Sequence, residues 1–401
     1  MTLDAASKPA SISAQARRLR PTAALWLLAS LVMSFLAGSS APSPLYALYR
    51  EAWGFSPLML TLVFASYAFT LIAALLVFGT LSDYRGRREV VLMALILEVA
   101  ATWLFWRADA IGWLFAARAL QGLATGMATS VLSAGLIDID PARGALVNSV
   151  APLLGMASGA LGTSLLVEFG PEPTKLVFEL LLAVFILQAL AACFLPETVE
   201  RRPGALRSLR PQIAVPAQAR ATLWRITPVN TATWAFGGFY LSLGPSLARE
   251  VTGSQSALAG GLLIASLMLA AAVAVMLVRM RPPRPVLIGG TTALALGLAI
   301  TLAGLATSSI TSFFAGSIVA GMGFGTAFNG SLRSVVSLAS PQQRGGLMSG
   351  FFVLSYLAFS LPAVAAGLGA GRFGLHAAAI GYGTSLLALC LVALLLMRQH
   401  K

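Results

Sequence analysis

The run Gly79-Thr80-Leu81-Ser82-Asp83-Tyr84-Arg85-Gly86-Arg87-Arg88 sets three arginines, an aspartate and two glycines between two long apolar stretches, in a chain only 10% charged. Charge that concentrated must sit in water, whereas the flanking runs, 58 to 80 and 89 to 107, are long enough to cross about 30 Å of hydrocarbon as helices. The stretch therefore reads as a tight hairpin loop at a membrane face. In it Gly79 permits close helix contact and Gly86 permits the turn, while Asp83 lies at a helix end where a carboxylate can meet another helix's amino end.

The rest of the chain agrees. Its 401 residues are 58% hydrophobic, with a mean hydropathy of +0.84, and a bilayer is the only solvent that suits such a composition. Apolar runs of spanning length fall at about 22–48, 58–80, 89–107, 111–136, 143–168, 174–195, 227–249, 257–278, 285–307, 311–336, 345–368 and 374–397. They are too long for barrel strands and lack polar alternation, so each is expected to be a helix. The basic start followed by an apolar run ending at Ala37-Gly38-Ser39 has the form of a secretory signal, but apolar character continues through Leu45, Tyr46 and Leu48. An uncleaved first span is the expectation.

A formal net charge of +13 would suggest nucleic acid in a soluble protein, yet its placement tells another story. Lys8, Arg17, Arg18, Arg20, Arg85, Arg87, Arg88, Arg143, the group from Arg201 to Arg225, Arg279, Arg281, Arg284, Arg333, Arg344, Arg398 and Lys401 fall on one face. The other face has only Arg50, Arg107, Lys175, Arg249 and Arg372. Positive charge in short loops marks the cytoplasm. Both termini are then cytoplasmic, the location is the plasma (inner) membrane with multiple passes, and nucleic acid drops out as a partner.

The longest hydrophilic stretch divides the spans six and six. The expected organisation is a cytoplasmic tail (1–21), a first six-helix bundle (22–196), a proline-rich cytoplasmic linker (197–225), a second bundle (226–397) and a short tail (398–401). The halves repeat: Gln121-Gly122 with Gly126 returns as Ala320-Gly321 with Gly325, and Arg143-Gly144-Ala145-Leu146 as Arg344-Gly345-Gly346-Leu347. The counterpart of the opening loop, Arg279-Met280-Arg281-Pro282-Pro283-Arg284, keeps the charge and loses the aspartate and glycines.

The loop Gly79–Arg88 fills every fixed position of the pattern G-x-L-[AS]-D-x-x-G-R-[RK], and with the repeat it resembles the major facilitator superfamily. That resemblance implies an all-α membrane protein of twelve transmembrane helices in two six-helix pseudo-repeats, working by rocking its halves about a central site. It also implies that the cluster of Gly79, Asp83, Gly86, Arg87 and Arg88 latches the halves in the outward-open state and breaks during transport. Asp138 and Asp140, at the inner end of the fourth span, are the nearest acids for the arginines. Arg118-Ala119-Leu120-Gln121-Gly122 resembles the family's R-x-x-Q-G motif, which implies a role for Arg118 and Gln121 in proton coupling.

From the residues alone, Arg118 lies about 12 Å deep, where a guanidinium must face protein or water and find a partner. Glu98, near the middle of the third span, is costly in hydrocarbon unless protonated or paired. Adjacent antiparallel spans put the two at similar depth, so a pair that protonation breaks is one expectation, and a packing glutamate is the other. Glu179 with Lys175, and Arg249 with Glu250, read as local pairs at the outer interface. Gly155, Gly159 and Gly162 in the fifth span partly resemble the family's exporter motif, with Ala160 in place of its proline. Small-residue packing explains them equally well.

Proline-broken helices are expected to wall the cavity. Tyr46 and Tyr49 follow Pro42-Ser43-Pro44, Trp234 and Tyr240 precede Pro245, and Asn329 and Tyr356 belong to the tenth and eleventh spans. Together they suit an amphipathic small molecule. No phosphate-binding G-x-x-x-x-G-K-[ST] loop, catalytic triad or metal-ligand spacing is present in the sequence, and His376 and His400 stand apart. Cys193 and Cys390 read as small hydrophobes. The expectation is a monomeric permease and not an enzyme, without cofactor or metal, its partners being a small-molecule substrate, protons and the lipid bilayer. Proton-coupled efflux of a drug-like or amphipathic metabolite is favoured, proton symport of a nutrient is the alternative, and a receptor or assembly factor that keeps the fold is the rival class. A receptor would carry an extra soluble domain, whereas this sequence ends at Lys401, a few residues past the last span.

Overall fold

Prolines and serines punctuate the chain into helices. The computed structural model describes residues 18–211, 213–340 and 343–398, without the side chain of Arg207. Expectations placed on Lys8, Arg17, His400 and Lys401 lie outside the described residues. Pro21, Pro42, Pro57, Pro141 and Pro283 each open a helix, where a fixed φ fits and the missing N–H is no loss. Ser56, Asp140, Ser256 and Ser309 accept first-turn backbone N–H groups as N-caps, satisfying donors the helix itself leaves unpaired.

The helices of the first half are α1 (Pro21–Ser40), α2 (Pro42–Trp53), α3 (Pro57–Phe78), α4 (Ser82–Arg85), α5 (Arg87–Arg107), α6 (Ile111–Ile139), α7 (Pro141–Phe169) and α8 (Leu176–Ala192). A single turn, α9 (Ala205–Ser208), lies in the connection. The second half holds α10 (Ala217–Ser242), α11 (Gly244–Thr252), α12 (Ala257–Val278), α13 (Pro283–Ala306), α14 (Ile310–Val336), α15 (Arg344–Phe373) and α16 (Leu375–Arg398). No strand occurs among the described residues.

Ten helices among the described residues are long and apolar enough to cross a bilayer, counting α1 and α2 as one. The sixth and seventh expected spans are helices too, with different dimensions. α8 has 17 residues, about 25 Å of rise. α10 begins at Ala217, nine residues before the second bundle expected from 226, because Ala217-Gln218-Ala219-Arg220-Ala221 is made of good helix formers that need no membrane. The first span also runs further than 22–48: it breaks at Ala41, where Pro42 and Pro44 remove two donors, and continues to Trp53.

The repeat is visible in how the helices pack. A side chain at Gly122 would collide with the Tyr67 carbonyl and Thr70 of α3, and one at Gly126 with Ala74 and the Leu71 carbonyl. A side chain at Gly321 would meet the Leu267 carbonyl of α12, and one at Gly325 the Ala271 carbonyl. In each half, paired glycines thus let the fourth span lie directly on the second.

The two faces of the bundle differ. At the face carrying Gly79–Arg88, hereafter the basic face, the halves have separate cores: one built on Leu25, Leu28, Val91 and Leu132, the other on Ile226, Leu287, Val335 and Phe351. A small cluster of Val150, Ala272 and Val275 joins α7 to α12 there. Toward the far face, one buried core runs through both halves, from Leu45, Tyr46 and Phe64 to Phe236, Leu263 and Phe359. The halves are closed together at the far face.

Candidate functional site

At the basic face, Arg87 is the centre of the charged loop. Its Nη1 donates to Ser82 Oγ and Asp83 Oδ1, both at 2.6 Å, and its Nε donates to Asp138 Oδ2 at 3.0 Å. Asp138 also accepts from Thr198 Oγ1 at 2.8 Å. Asp140 does different work: its Oδ1 accepts from the N–H groups of Ala142 and Arg143, which makes it the N-cap of α7. Arg88 Nη1 reaches the Cys193 carbonyl at 3.5 Å.

Gly86 turns the chain at φ 100°, a conformation that side chains rarely adopt, and it brings no capping group to α5. The acceptor comes from the connection instead. Glu197 takes the backbone N–H groups of Arg87 at 2.6 Å and Arg88 at 3.2 Å, and a carboxylate at a helix amino end is favourably placed. Sequence reasoning passed over Glu197 as the start of a linker; the signal was a helix start after glycine with no cap of its own. All these partners lie in the first half or the connection, so among the described residues the cluster makes no bolt between the halves.

Deeper in the first half lies a fully buried polar chain. Arg118 is 0% exposed. Its Nε donates to Tyr46 Oη at 2.5 Å, and its Nη1 donates to the Ser39 carbonyl at 2.7 Å and to Gln121 Oε1 at 2.8 Å. Gln121 Nε2 in turn donates to Glu98 Oε1 at 3.1 Å. The guanidinium carbon stands 5.4 to 5.5 Å from the ring centres of Tyr46, Tyr67 and Phe105, within cation–π range.

One expectation is corrected here. Glu98 and Arg118 do not pair directly; Gln121 stands between them, because it lies one turn from Arg118 on α6 and faces α5. Glu98 itself is buried. A side chain at Gly38 would lie 3.1 Å from Glu98 Oε1 and 3.2 Å from Phe185, so the carboxyl is enclosed by α1, α6 and α8. Glu98 Oε2 and Arg118 Nη2 are buried with no hydrogen-bond partner among the described residues. A site with one acceptor and one donor held in reserve, in line with two charges, can accept a proton and redistribute its bonds without solvent.

Across the bundle, Trp234 packs against Tyr356 (centroids 4.8 Å), Phe328 (5.4 Å) and Phe359 (5.9 Å). Phe359 meets Phe64 of the first half at 4.8 Å. Trp234 Nε1 and Asn329 Oδ1 are buried without hydrogen-bond partners among the described residues. Of the cavity residues read from sequence, the structure gathers Trp234 and Tyr356, with Asn329 next to Phe328 in the chain. Tyr46 is held by Arg118, Tyr49 stacks on Trp53 at 4.6 Å, and Tyr240 shares a hydrogen bond with Ser317 at 2.8 Å inside the second half. Ser317 occupies the repeat position of Arg118, so each half ties its fourth span to a tyrosine of its first. Phe64 and Phe359 were missed, since a phenylalanine in an apolar run carries no distinguishing signal.

Two local expectations also change, and the fifth-span glycines take the packing reading. Lys175 bonds Glu172 at 3.4 Å, and Glu179 accepts instead from Trp106 Nε1 of α5 at 3.0 Å. Arg249 bonds Glu51 at 2.7 Å and not its neighbour Glu250, since adjacent helical residues point apart. Gly155 and Gly159 seat α7 on the Met33 and Ala37 carbonyls of α1, which makes them packing residues within one half. Among the described residues, no cluster of potential ligands could hold a metal ion.

The fold and these sites define a polytopic α-helical membrane transporter. The Major Facilitator Superfamily signature matches residues 27–280, and the chain belongs to that family. Two solved structures resemble it. The human organic anion transporter MFSD10 (TETRAN) is 20% identical with a TM-score of 0.67, covering 94% of this chain and 100% of that one. A mutant of the nucleoside transporter NupG is 12% identical with a TM-score of 0.71, at the same coverages. At such identities the likeness is one of fold. A comparison with functionally curated proteins gave no match.

Proposed function

We propose that this protein is a proton-coupled secondary transporter that exports an amphipathic small molecule by alternating access. In this reading it works as a monomer in the plasma membrane, with both termini and the basic face in the cytoplasm. The observation that carries the reading is the buried chain Glu98–Gln121–Arg118–Tyr46 with its two unpartnered atoms. With Glu98 ionised, the chain is balanced, one negative and one positive charge bridged by an amide. A proton on Glu98 removes the counter-charge, so Arg118 must strengthen its bonds to α1 and α2 or find a new acceptor. Those helices meet at the Ala41 break, where Arg118 already holds the Ser39 carbonyl and Ser40 Oγ donates to the Met156 carbonyl at 2.9 Å. Proton state is thereby tied to the angle between α1 and α2. The aromatic wall of Trp234, Phe328, Tyr356 and Phe359, free of ionised groups, supports an uncharged or amphipathic cargo.

The test uses everted vesicles carrying a pH gradient. Addition of a transported substrate should collapse the gradient, and the sign of substrate movement separates efflux from proton-driven uptake. If no compound in a broad amphipathic panel moves protons, the coupled reading fails. Glu98→Gln should retain substrate binding and lose coupling, and an unchanged pH dependence would assign Glu98 to packing.

A further inference from the structure

Both halves carry an Arg-Glu dipeptide at the far face, Arg50-Glu51 and Arg249-Glu250. Each glutamate stands three residues before a glycine that ends the broken first helix of its half, Gly54 at φ 67° and Gly253 at φ 63°. The register relating the two dipeptides is the one that relates Gly122 to Gly321, so they are copies of one feature. Across the seam between the halves, Arg249 Nη1 donates to Glu51 Oε1 at 2.7 Å, while its Nη2 donates to the Gln255 carbonyl at 2.7 Å. The Arg249 side chain is only 12% exposed, and that of Glu51 56%. Beside it, Ser256 Oγ donates to Glu168 Oε2 at 2.7 Å, again between halves. The repeat counterpart, Arg50 with Glu250, forms no ion pair among the described residues. At the basic face, by contrast, every acid bonded to the Arg87 cluster belongs to the first half or the connection.

We infer that the repeated Arg-Glu dipeptide is the far-face gate of the transport cycle, with Arg249–Glu51 as its closed contact. The inference rests on the alternating-access part of the proposed function, and on neither its proton coupling nor its cargo. Opening the far face must separate α2 from α11, and that separation breaks this pair. The bond from Arg249 to Gln255 lies within the second half and survives the opening, so the guanidinium stays presented at the seam for reclosure. Half-exposed as it is, the pair biases the open–closed equilibrium by a factor of about five at most. That is enough to set resting occupancy while leaving the gate easy to open.

The experiment is a distance measurement in lipid nanodiscs without substrate or pH gradient. Nitroxide labels are attached at Ala52→Cys and Gln255→Cys in a Cys193→Ser, Cys390→Ala background, and distances are read by pulsed electron resonance. Glu51→Gln and Arg249→Gln should each raise the ratio of long to short distances about two- to fivefold. Salt at 1 M, which shortens the screening length to about 3 Å, should move the parent in the same direction and leave the variants unmoved. Parental distributions in both variants overturn the inference, as does a salt shift that is as large in Glu51→Gln as in the parent. If Arg249→Gln does not fold, Glu51→Gln gives the same readout from an exposed position. Loss of proton coupling in the vesicle assay would leave these distances unchanged, so the two readings fail separately.

Discussion

Arg118 shows how much a single residue is asked to do. One guanidinium joins α6 to the Ser39 carbonyl of α1, to Tyr46 of α2 and, through Gln121, to Glu98 of α5. Lysine gathers its three donors on one nitrogen and cannot reproduce the planar fork that reaches Tyr46 from Nε and Ser39 and Gln121 from Nη1 while lying among three rings. Arg118→Lys should therefore cut the initial transport rate at least about tenfold and cost about 1–3 kcal/mol of stability, read from vesicle uptake and thermal melting in detergent. That Arg118 needed a buried partner was legible from its depth in an apolar run. That the partner is an amide relay was not, because the spacing of Glu98 and Arg118 in the chain says nothing about which faces of α5 and α6 meet. Glu197 was illegible for a similar reason: its importance comes from two N–H groups that lie 110 and 109 residues away.

At the scale of elements, glycine placement sets which helices touch. A Cβ at Gly126 would stand 2.6 Å from Ala74 Cβ and 2.7 Å from the Leu71 carbonyl, and backbone on a packed helix cannot yield as a flexible side chain can. Gly126→Leu and Gly122→Leu should each destabilise by about 1–3 kcal/mol or more, seen as a fall in melting temperature and in membrane abundance. Gly112 lies on the same helix with nothing within 4 Å of a Cβ. Gly112→Ala should be neutral or gain up to about 1 kcal/mol from helix propensity. Most element limits were legible, because a bilayer demands uninterrupted apolar length and proline and serine mark the starts. The exceptions are instructive: α10 extends past its apolar segment where alanine and arginine are good helix formers, and the first span continues beyond the end of α1 as α2 because Pro42 and Pro44 sit in the first turn of that second helix, where proline is tolerated.

For the whole molecule, the arrangement of cores decides the state. The halves share one core at the far face and have separate cores at the basic face, and among the described residues the Arg87 cluster bonds only the first half and the connection. The Asp83 side chain, 52% exposed, bonds Arg87 alone among the described residues. Asp83→Asn should leave melting temperature within about 0.5 kcal/mol of the parent, as a surface change does, and still slow transport severalfold at normal membrane abundance. Normal transport would reduce the loop to a topology signal. Hydropathy, glycine spacing, loop charge and the motif Gly79–Arg88 determined by themselves that this chain is a helical membrane protein built from two repeats, because each records a constraint the bilayer or the backbone imposes locally. Only the tertiary structure decided that Gln121 separates Glu98 from Arg118, that Glu197 caps α5, and that Arg249 reaches Glu51 across the seam. Those contacts join residues far apart in the chain, and which rotational face each helix turns to its neighbours is settled by packing all of them at once.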